Sequence, residues 1–424
     1  MQRFFTKNLF INVSFLAFVS ILIYRFVKNI FIGYTKDSWG ITEFLINYQG
    51  GFVRRGLLGE ALLSIYNTTG ISPYPIIIST CISAYIVLII FFVKSIIKQG
   101  YPLFFLPFIF FLGNPIINDF WVRKDIILVL LFIAVIYFSN KKNPSSLIIY
   151  NLFLILGILI HESIGFFCVP ILCLLLSANN DGFNGTSSYF KSFSASIYKL
   201  SPSILVFLCV LYFKGSKLVA DQIWNSWKTI KFPLNGDSPS QAPAAIDGIS
   251  WTLKQGLYYT YDTLTRFDFG IYAPLAWLLI IIAIYYVLTN ISALSFKIFN
   301  YSPNKNFDKL NVSAVLIFQL LSIMPLFLLG WDYGRWVFFW TISCFAIILI
   351  IPEEKLASIF PRVLFTISEK INHYLSKYLT SKTIFLLCLI IGFPAFSWDL
   401  KSAISSSSAA ILLKSISNLL TSLF

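Results

Sequence analysis

Four short motifs in an otherwise apolar chain carry the residues that can do chemistry: GGFVRRGLLGE (50–60), DFWVRKD (119–125), HES (161–163) and WDYGRW (331–336). Ionisable side chains are costly in a hydrocarbon surround, so their presence there marks substrate or ion handling. Arginine offers a fixed fork of donors that fits phosphate or diphosphate, and a carboxylate in a poorly hydrated site can take a proton from a hydroxyl. The combination points to group transfer from a phosphorylated lipid donor. In that reading Arg54, Arg55, Arg123 and Arg335 clamp the donor's phosphates, with Lys124 and Glu60 beside them and Asp332 orienting Arg335. Glu162 is the expected base on the acceptor hydroxyl, His161 orients it or shares the proton, and Asp37 is the alternative base.

Each motif also has a structural reading. Arg54 and Arg55 would snorkel to headgroups, although Gly50, Gly51 and Gly56 around them allow close backbone approach. Arg123, Lys124 and Asp125 would form a helix start with the acid in the first turn, where it suits the dipole. Asp332 and Arg335, three apart, would pair on one helical face. His161 and Glu162 have no cation beside them in sequence, so their partners must come from elsewhere in the fold. Trp39, Trp121, Trp331 and Trp336 would stack on sugar faces or anchor at an interface. The chain has no P-loop, GxGxxG or HExxH, and one His-Glu pair makes no metal site, so no cofactor and no metal are expected.

The elements that must hold these residues are membrane helices. With 57% hydrophobic and 12% charged residues, the chain runs repeatedly through apolar stretches near the ~20 residues that cross a bilayer as helix. These stretches are continuously apolar rather than alternating, which favours helices over a β-barrel. The net charge of +14 is no sign of nucleic-acid binding, because the lysines sit in short connections between apolar runs. Cys81, Cys168, Cys173, Cys209, Cys344 and Cys388 all lie within apolar runs without metal or disulfide spacing.

The expected fold is therefore all-α, a polytopic transmembrane helical protein of about eleven spans (ten to twelve) with an outward-facing polar cavity. A retained first helix covers about 9–33, behind Arg3 and Lys7. Later spans fall near 74–93, 102–118, 125–139, 146–161, 163–177, 201–213, 271–290, 311–330, 336–351 and 383–398. The run 146–177 as one helix would extend roughly 48 Å, too long for a ~30 Å core, so it is split into a hairpin at His161-Glu162. From a cytoplasmic N-terminus, this count puts Lys94, Lys98, Lys141, Lys142, Lys191, Lys199, Lys297, Lys309, Arg362 and Lys382 on the cytoplasmic side. It gathers the four charged motifs on the other. Residues 1–424 read as a single integral membrane domain with outer loops 34–73 and 214–270. The first loop carries an apolar stretch suited to an interfacial or re-entrant helix, and the tail 402–424 reads as an amphipathic helix or a last span.

The segment WVRKDIILVLLFIAVIYFSNKK followed by LILGILIHESIGFFCVPI resembles the core of the EpsG and Wzy type polysaccharide polymerases, over about residues 119–175 and more loosely at WDYGRW. In that family a basic pair opens one membrane helix and a histidine sits in a later one, before a proline-bearing apolar run. The family's Arg-Gln is Arg123-Lys124 here, its histidine is not generally followed by glutamate as His161 is, and FVRRGLLGE has no placed counterpart. Carry-over is thus to Arg123 and His161. The resemblance implies a GT-C-like membrane glycosyltransferase joining undecaprenyl-diphosphate-linked repeat units of O-antigen, capsule or exopolysaccharide at the outer face of the bacterial inner membrane. Its implied partners are that lipid-linked glycan, membrane lipid, a chain-length regulator and a flippase, and no nucleic acid. The rival readings are a GT-C transferase adding one sugar from a polyprenyl-phosphate donor with Asp37 as base, a lipid-linked oligosaccharide flippase or transporter, and an acyltransferase using His161.

Overall fold

The computed structural model describes residues 39–99, 121–141, 143–178, 186–228, 242–266, 272–290, 308–330 and 332–380, with position 20 and scattered positions between 413 and 421. Regular structure among the described residues is helical throughout. The chain enters through the short turns Trp39–Thr42 and Glu43–Leu45, then α1 (Leu57–Thr69) and α2 (Pro73–Gln99). α1 ends where Gly70 takes a left-handed φ of 68° and returns its N–H to Tyr66 O, a turn glycine makes without a side-chain penalty. Next come α3 (Asp125–Ser139), α4 (Ser145–Ile160), α5 (Ser163–Ala178), α6 (Thr186–Lys199) and α7 (Ser201–Tyr212). The segment 214–270 contributes α8 (Lys217–Trp227), two short turns over 244–250, and α9 (Leu253–Arg266). The remainder is α10 (Tyr272–Thr289), α11 (Lys309–Leu329), α12 (Tyr333–Ile350), α13 (Glu353–Ile359) and α14 (Arg362–Tyr378).

Among the described residues, three stretches, Pro73–Lys98, Lys309–Leu329 and Tyr333–Ile350, are long and apolar enough to cross a membrane, and a fourth is gained if the bent pair Lys191–Lys199 and Ser201–Tyr212, at 68°, counts as one broken span. The apolar helices Asp125–Ser139, Ser145–Ile160 and Ser163–Ala178 are shorter. The expected spans 9–33 (apart from position 20), 102–118 and 383–398 lie outside the described residues. Exposed apolar residues such as Ile86, Val87 and Ile90 on α2, Leu275 and Leu279 on α10, and Leu321 and Leu328 on α11 form faces suited to lipid.

α12 is the central element. Phe338, Phe339 and Trp340 are fully buried, and Trp340 Nε1 donates to Leu316 O of α11 at 2.8 Å. α3 packs against α4, α12 and α2, while α11 packs against α12, α14 and α5. The helix through 146–177 does break where the two charged residues sit. α4 ends at Ile160, His161 is extended at φ −165° and ψ 127°, and α5 starts at Ser163.

The segment 214–270, expected as a loop, contains two helices, α8 and α9. α8 is amphipathic: Ser216 caps it by accepting from Val219 N at 3.3 Å, and Ala220, Ile223, Trp224 and Trp227 bury one face. That face lies on the segment before α1, where Trp227 Nε1 donates to Leu45 O at 2.7 Å and Asn47 Nδ2 to Ser226 Oγ at 2.8 Å. The Pro- and Ser-bearing residues 229–241 and most of the tail 402–424 lie outside the described residues, while 413–414, 416–418 and 420–421 are helical.

Candidate functional site

The four charged motifs meet at the ends of α3, α4, α5 and α12. Two glycines bring the segment around Glu43 to them. A β-carbon on Gly40 would stand 2.4 Å from Val122 O and 3.2 Å from Arg123 Cγ, and one on Gly59 only 1.9 Å from Ile46 O. Backbone thus lies on backbone at both places, which seats Glu43 and the Arg54-Arg55 turn beside α3 and the α4–α5 break.

Arg55 is the hub. Its Nε donates to both oxygens of Glu162 at 3.0 and 2.9 Å, its second terminal nitrogen donates to Glu162 Oε1 at 2.5 Å, and its first to Glu43 Oε1 at 2.9 Å. Its backbone holds φ 67°, a left-handed conformation that a non-glycine residue adopts at a cost of about 1–3 kcal/mol. Lys124, fully buried, locks that turn by donating from Nζ to Arg55 O at 2.8 Å. Arg54 stands 3.6 Å from Glu162 Oε1, its side chain is a quarter exposed, and its buried Nε has no hydrogen-bond partner.

His161 lies against the same carboxylates, with Nε2 3.4 Å from Glu43 Oε1 and Nδ1 accepting from Ser163 N–H at 3.1 Å. A ring nitrogen that accepts carries no proton, so His161 is the neutral tautomer with its proton on Nε2, facing Glu43. Burial and the nearby Arg55 agree, holding its pKa below the ordinary value. Burial alone would raise Glu162, but the charge and hydrogen bonds of Arg55, with the charge of Arg54, outweigh it and hold the carboxyl well below the usual range. Glu43 is likewise held low against its burial, first by the Nε2–H of His161 that faces it and then by the charges of Arg55 and Lys124. Burial pulls Lys124 down to about 8.

A second group adjoins the first. Arg335 makes a fork on Asp125, Nε to Oδ2 and a terminal nitrogen to Oδ1, both at 2.7 Å, and its other terminal nitrogen donates to Asp332 Oδ2 at 2.7 Å. Arg123 approaches the same Asp332 oxygen at 3.7 Å. Two arginines here face two aspartates, whereas in the first group Arg54, Arg55 and Lys124 face only Glu43 and Glu162. The positive excess therefore sits with Arg54 and its neighbours.

Of the residues singled out in the sequence, Arg54, Arg55, Arg123, Lys124, His161, Glu162, Asp332 and Arg335 come together. Glu60 does not join them: it accepts from Tyr48 N at 2.9 Å and Gln49 Nε2 at 3.0 Å and braces that turn. Asp37 and Trp331 lie outside the described residues. Trp121 and Trp336 are buried in the core, while Trp39 is half-buried. Glu43 and Asp125 were not counted among the site residues. Glu43's signal was an acid inside the apolar stretch ITEFLIN, and Asp125's first-turn position hid its pairing with Arg335. Among the described residues, no group of three His, Cys, Asp or Glu stands arranged to hold a metal ion. No protein-family model matches the chain, and neither a curated protein nor a solved structure does so.

Proposed function

We propose that the chain is a membrane glycosyltransferase that polymerises oligosaccharide repeat units carried on undecaprenyl diphosphate, at the outer face of the bacterial inner membrane. The observation that carries this reading is the positive excess at Arg54, beside an arginine already shared between two carboxylates. A diphosphate supplies the missing negative charge in a form two arginine forks match. The proposed setting is a bundle of about eleven spans with a cytoplasmic N-terminus, which turns this cluster into a polar cavity open outward.

In the proposed step the acceptor hydroxyl attacks the donor's anomeric carbon. The bond from that carbon to the phosphate oxygen breaks, its electron pair leaves with undecaprenyl diphosphate, and the hydroxyl proton passes to Glu162. With Arg55 on both its oxygens, Glu162 is a weak base. The arriving diphosphate competes for Arg55 and Arg54, and a buried carboxylate that loses its cation gains basicity. Arg54 and Arg55 then stabilise the charge growing on the leaving group, and His161 holds Glu43 in place. Chain-length regulator and flippase are the partners this reaction calls for.

One observation favours a second reading, addition of a single sugar. Glu43, an acid of the same first outer segment that holds Asp37, sits in the cluster with Oε2 buried and without a hydrogen-bond partner. A gel of lipid-linked and surface glycan from the host and from a strain lacking the chain separates the two. Loss of the ladder with single repeat units accumulating is the expected result. A ladder that persists with one sugar missing per repeat transfers the assignment to the single-sugar enzyme.

A further inference from the structure

An aromatic surface lies one residue from the charged cluster. Trp251 and Tyr259 stack with ring centroids 4.9 Å apart and planes at 22°, and Trp39 meets Trp251 at 6.3 Å, tilted by 59°. Trp39 directly precedes Gly40, whose backbone is pressed on Val122 and Arg123. The Trp39 ring in turn covers Gly248 so closely that a β-carbon there would stand 3.0 Å from it. Rings from two distant parts of the chain are thus fastened at the edge of the site, and Tyr259 remains 49% exposed.

Exposed tryptophan and tyrosine in a membrane protein usually anchor at the lipid interface. Here the surroundings argue for water. Asp247, next to Gly248, pairs with Lys217 at 2.7 Å, and the two side chains are 39% and 64% exposed; Asp221, 50% exposed, adds a second carboxylate to the same lysine. A solvated ion network beside the rings is out of place in hydrocarbon. Flat rings with a solvated carboxylate beside them suit a pyranose, whose C–H face stacks on an aromatic and whose hydroxyls take the hydrogen bonds.

We infer that Trp39, Trp251 and Tyr259 form a subsite for the glycan itself, gripping sugar rings of the acceptor chain next to the charged cluster. The inference rests on the glycosyltransferase reading and deepens it. A glycan gripped at the site's edge would stay attached between additions.

The test uses the full chain in neutral-lipid nanodiscs and, as probe, water-soluble oligosaccharides released by mild acid from the host's surface polysaccharide. Binding is followed by saturation-transfer NMR and calorimetry. Trp251→Ala and Tyr259→Ala are expected to weaken binding about tenfold each, and Trp251→Phe to retain most of it. The half-exposed Tyr259 keeps the test sound if Trp251→Ala misfolds. Unchanged binding in Tyr259→Ala and Trp251→Phe/Tyr259→Ala overturns the subsite, as does quenching of the wild-type-minus-Trp251→Phe fluorescence by brominated lipid tails without quenching by oligosaccharide, which would make the rings a membrane anchor. If the deletion strain loses its ladder while these variants bind normally, the subsite alone fails. If that strain's glycan is unchanged and the wild type binds nothing, the enzymatic reading fails with it.

Discussion

Arg55 meets two carboxylates from a left-handed backbone, so its side chain and its conformation can be tested apart. Removing one partner of a pair this enclosed leaves a buried charge, at about 3–5 kcal/mol. Arg55→Ala should therefore lower thermal stability strongly. Arg55→Gly should be about 1 kcal/mol less damaging than Arg55→Ala, because glycine adopts φ 67° freely. Equal melting of the two variants would deny the backbone strain. Arg55→Lys keeps the charge and loses the fork, and polymer formation should fall at least tenfold. Lys124 gives a pH signature. Its folded pKa of about 8 lies below the ordinary 10.5, so between those values the unfolded chain binds the proton more tightly. Stability should rise with pH across that window in the wild type, and Lys124→Met should lose that rise. The partners of Glu162 illustrate what a sequence can and cannot convey. The need for cations from elsewhere was readable from HES alone, but that they are Arg54 and Arg55 depends on a contact across 107 positions.

At the scale of elements, the helices α3, α4, α5, α10, α11 and α12 were legible because long apolar runs leave few other structures. The break at His161-Glu162 was legible because one continuous helix would overshoot the bilayer. α8, α9 and α14 were less so. α8 hides in a polar segment, and its apolar positions Ala220, Ile223, Trp224 and Trp227 only signify a helix once the surface they cover is known. α14 follows Pro361 and buries Leu364, Ser368 and Asn372 at four-residue steps, two of them polar; Asn372 donates to Ser313 Oγ at 3.2 Å, a partner no local pattern announces. Two glycines separate positioning from propensity. Gly59→Ala would force a β-carbon to 1.9 Å from Ile46 O, moving α1 off the segment that carries Glu43, and should cost about 1–3 kcal/mol together with much of the activity. Gly256→Ala in α9, with nothing within 4 Å, should instead stabilise by up to about 1 kcal/mol. Thermal melting in matched nanodiscs checks both signs.

For the whole molecule, the arrangement reduces to a contrast between two halves of one buried charge cluster. Arg335 and Arg123 are balanced by Asp125 and Asp332 and tie α12 to α3, whereas Arg54, Arg55 and Lys124 outnumber Glu43 and Glu162. The balanced half reads as scaffold and the unbalanced half as the place for an anion. That all four motifs would lie together was legible from the alternation of basic connections along the chain. Which half carries the positive excess was not, because charge balance is a property of the assembled contacts. The central claim is met most directly by purified chain in nanodiscs given lipid-linked repeat units extracted from the deletion strain. The account predicts a ladder of lengthening products with free undecaprenyl diphosphate released, and no ladder from Arg55→Lys or Glu162→Gln protein that is folded and inserted. Repeat units left unextended by the wild type, or a full ladder from both variants, would contradict it.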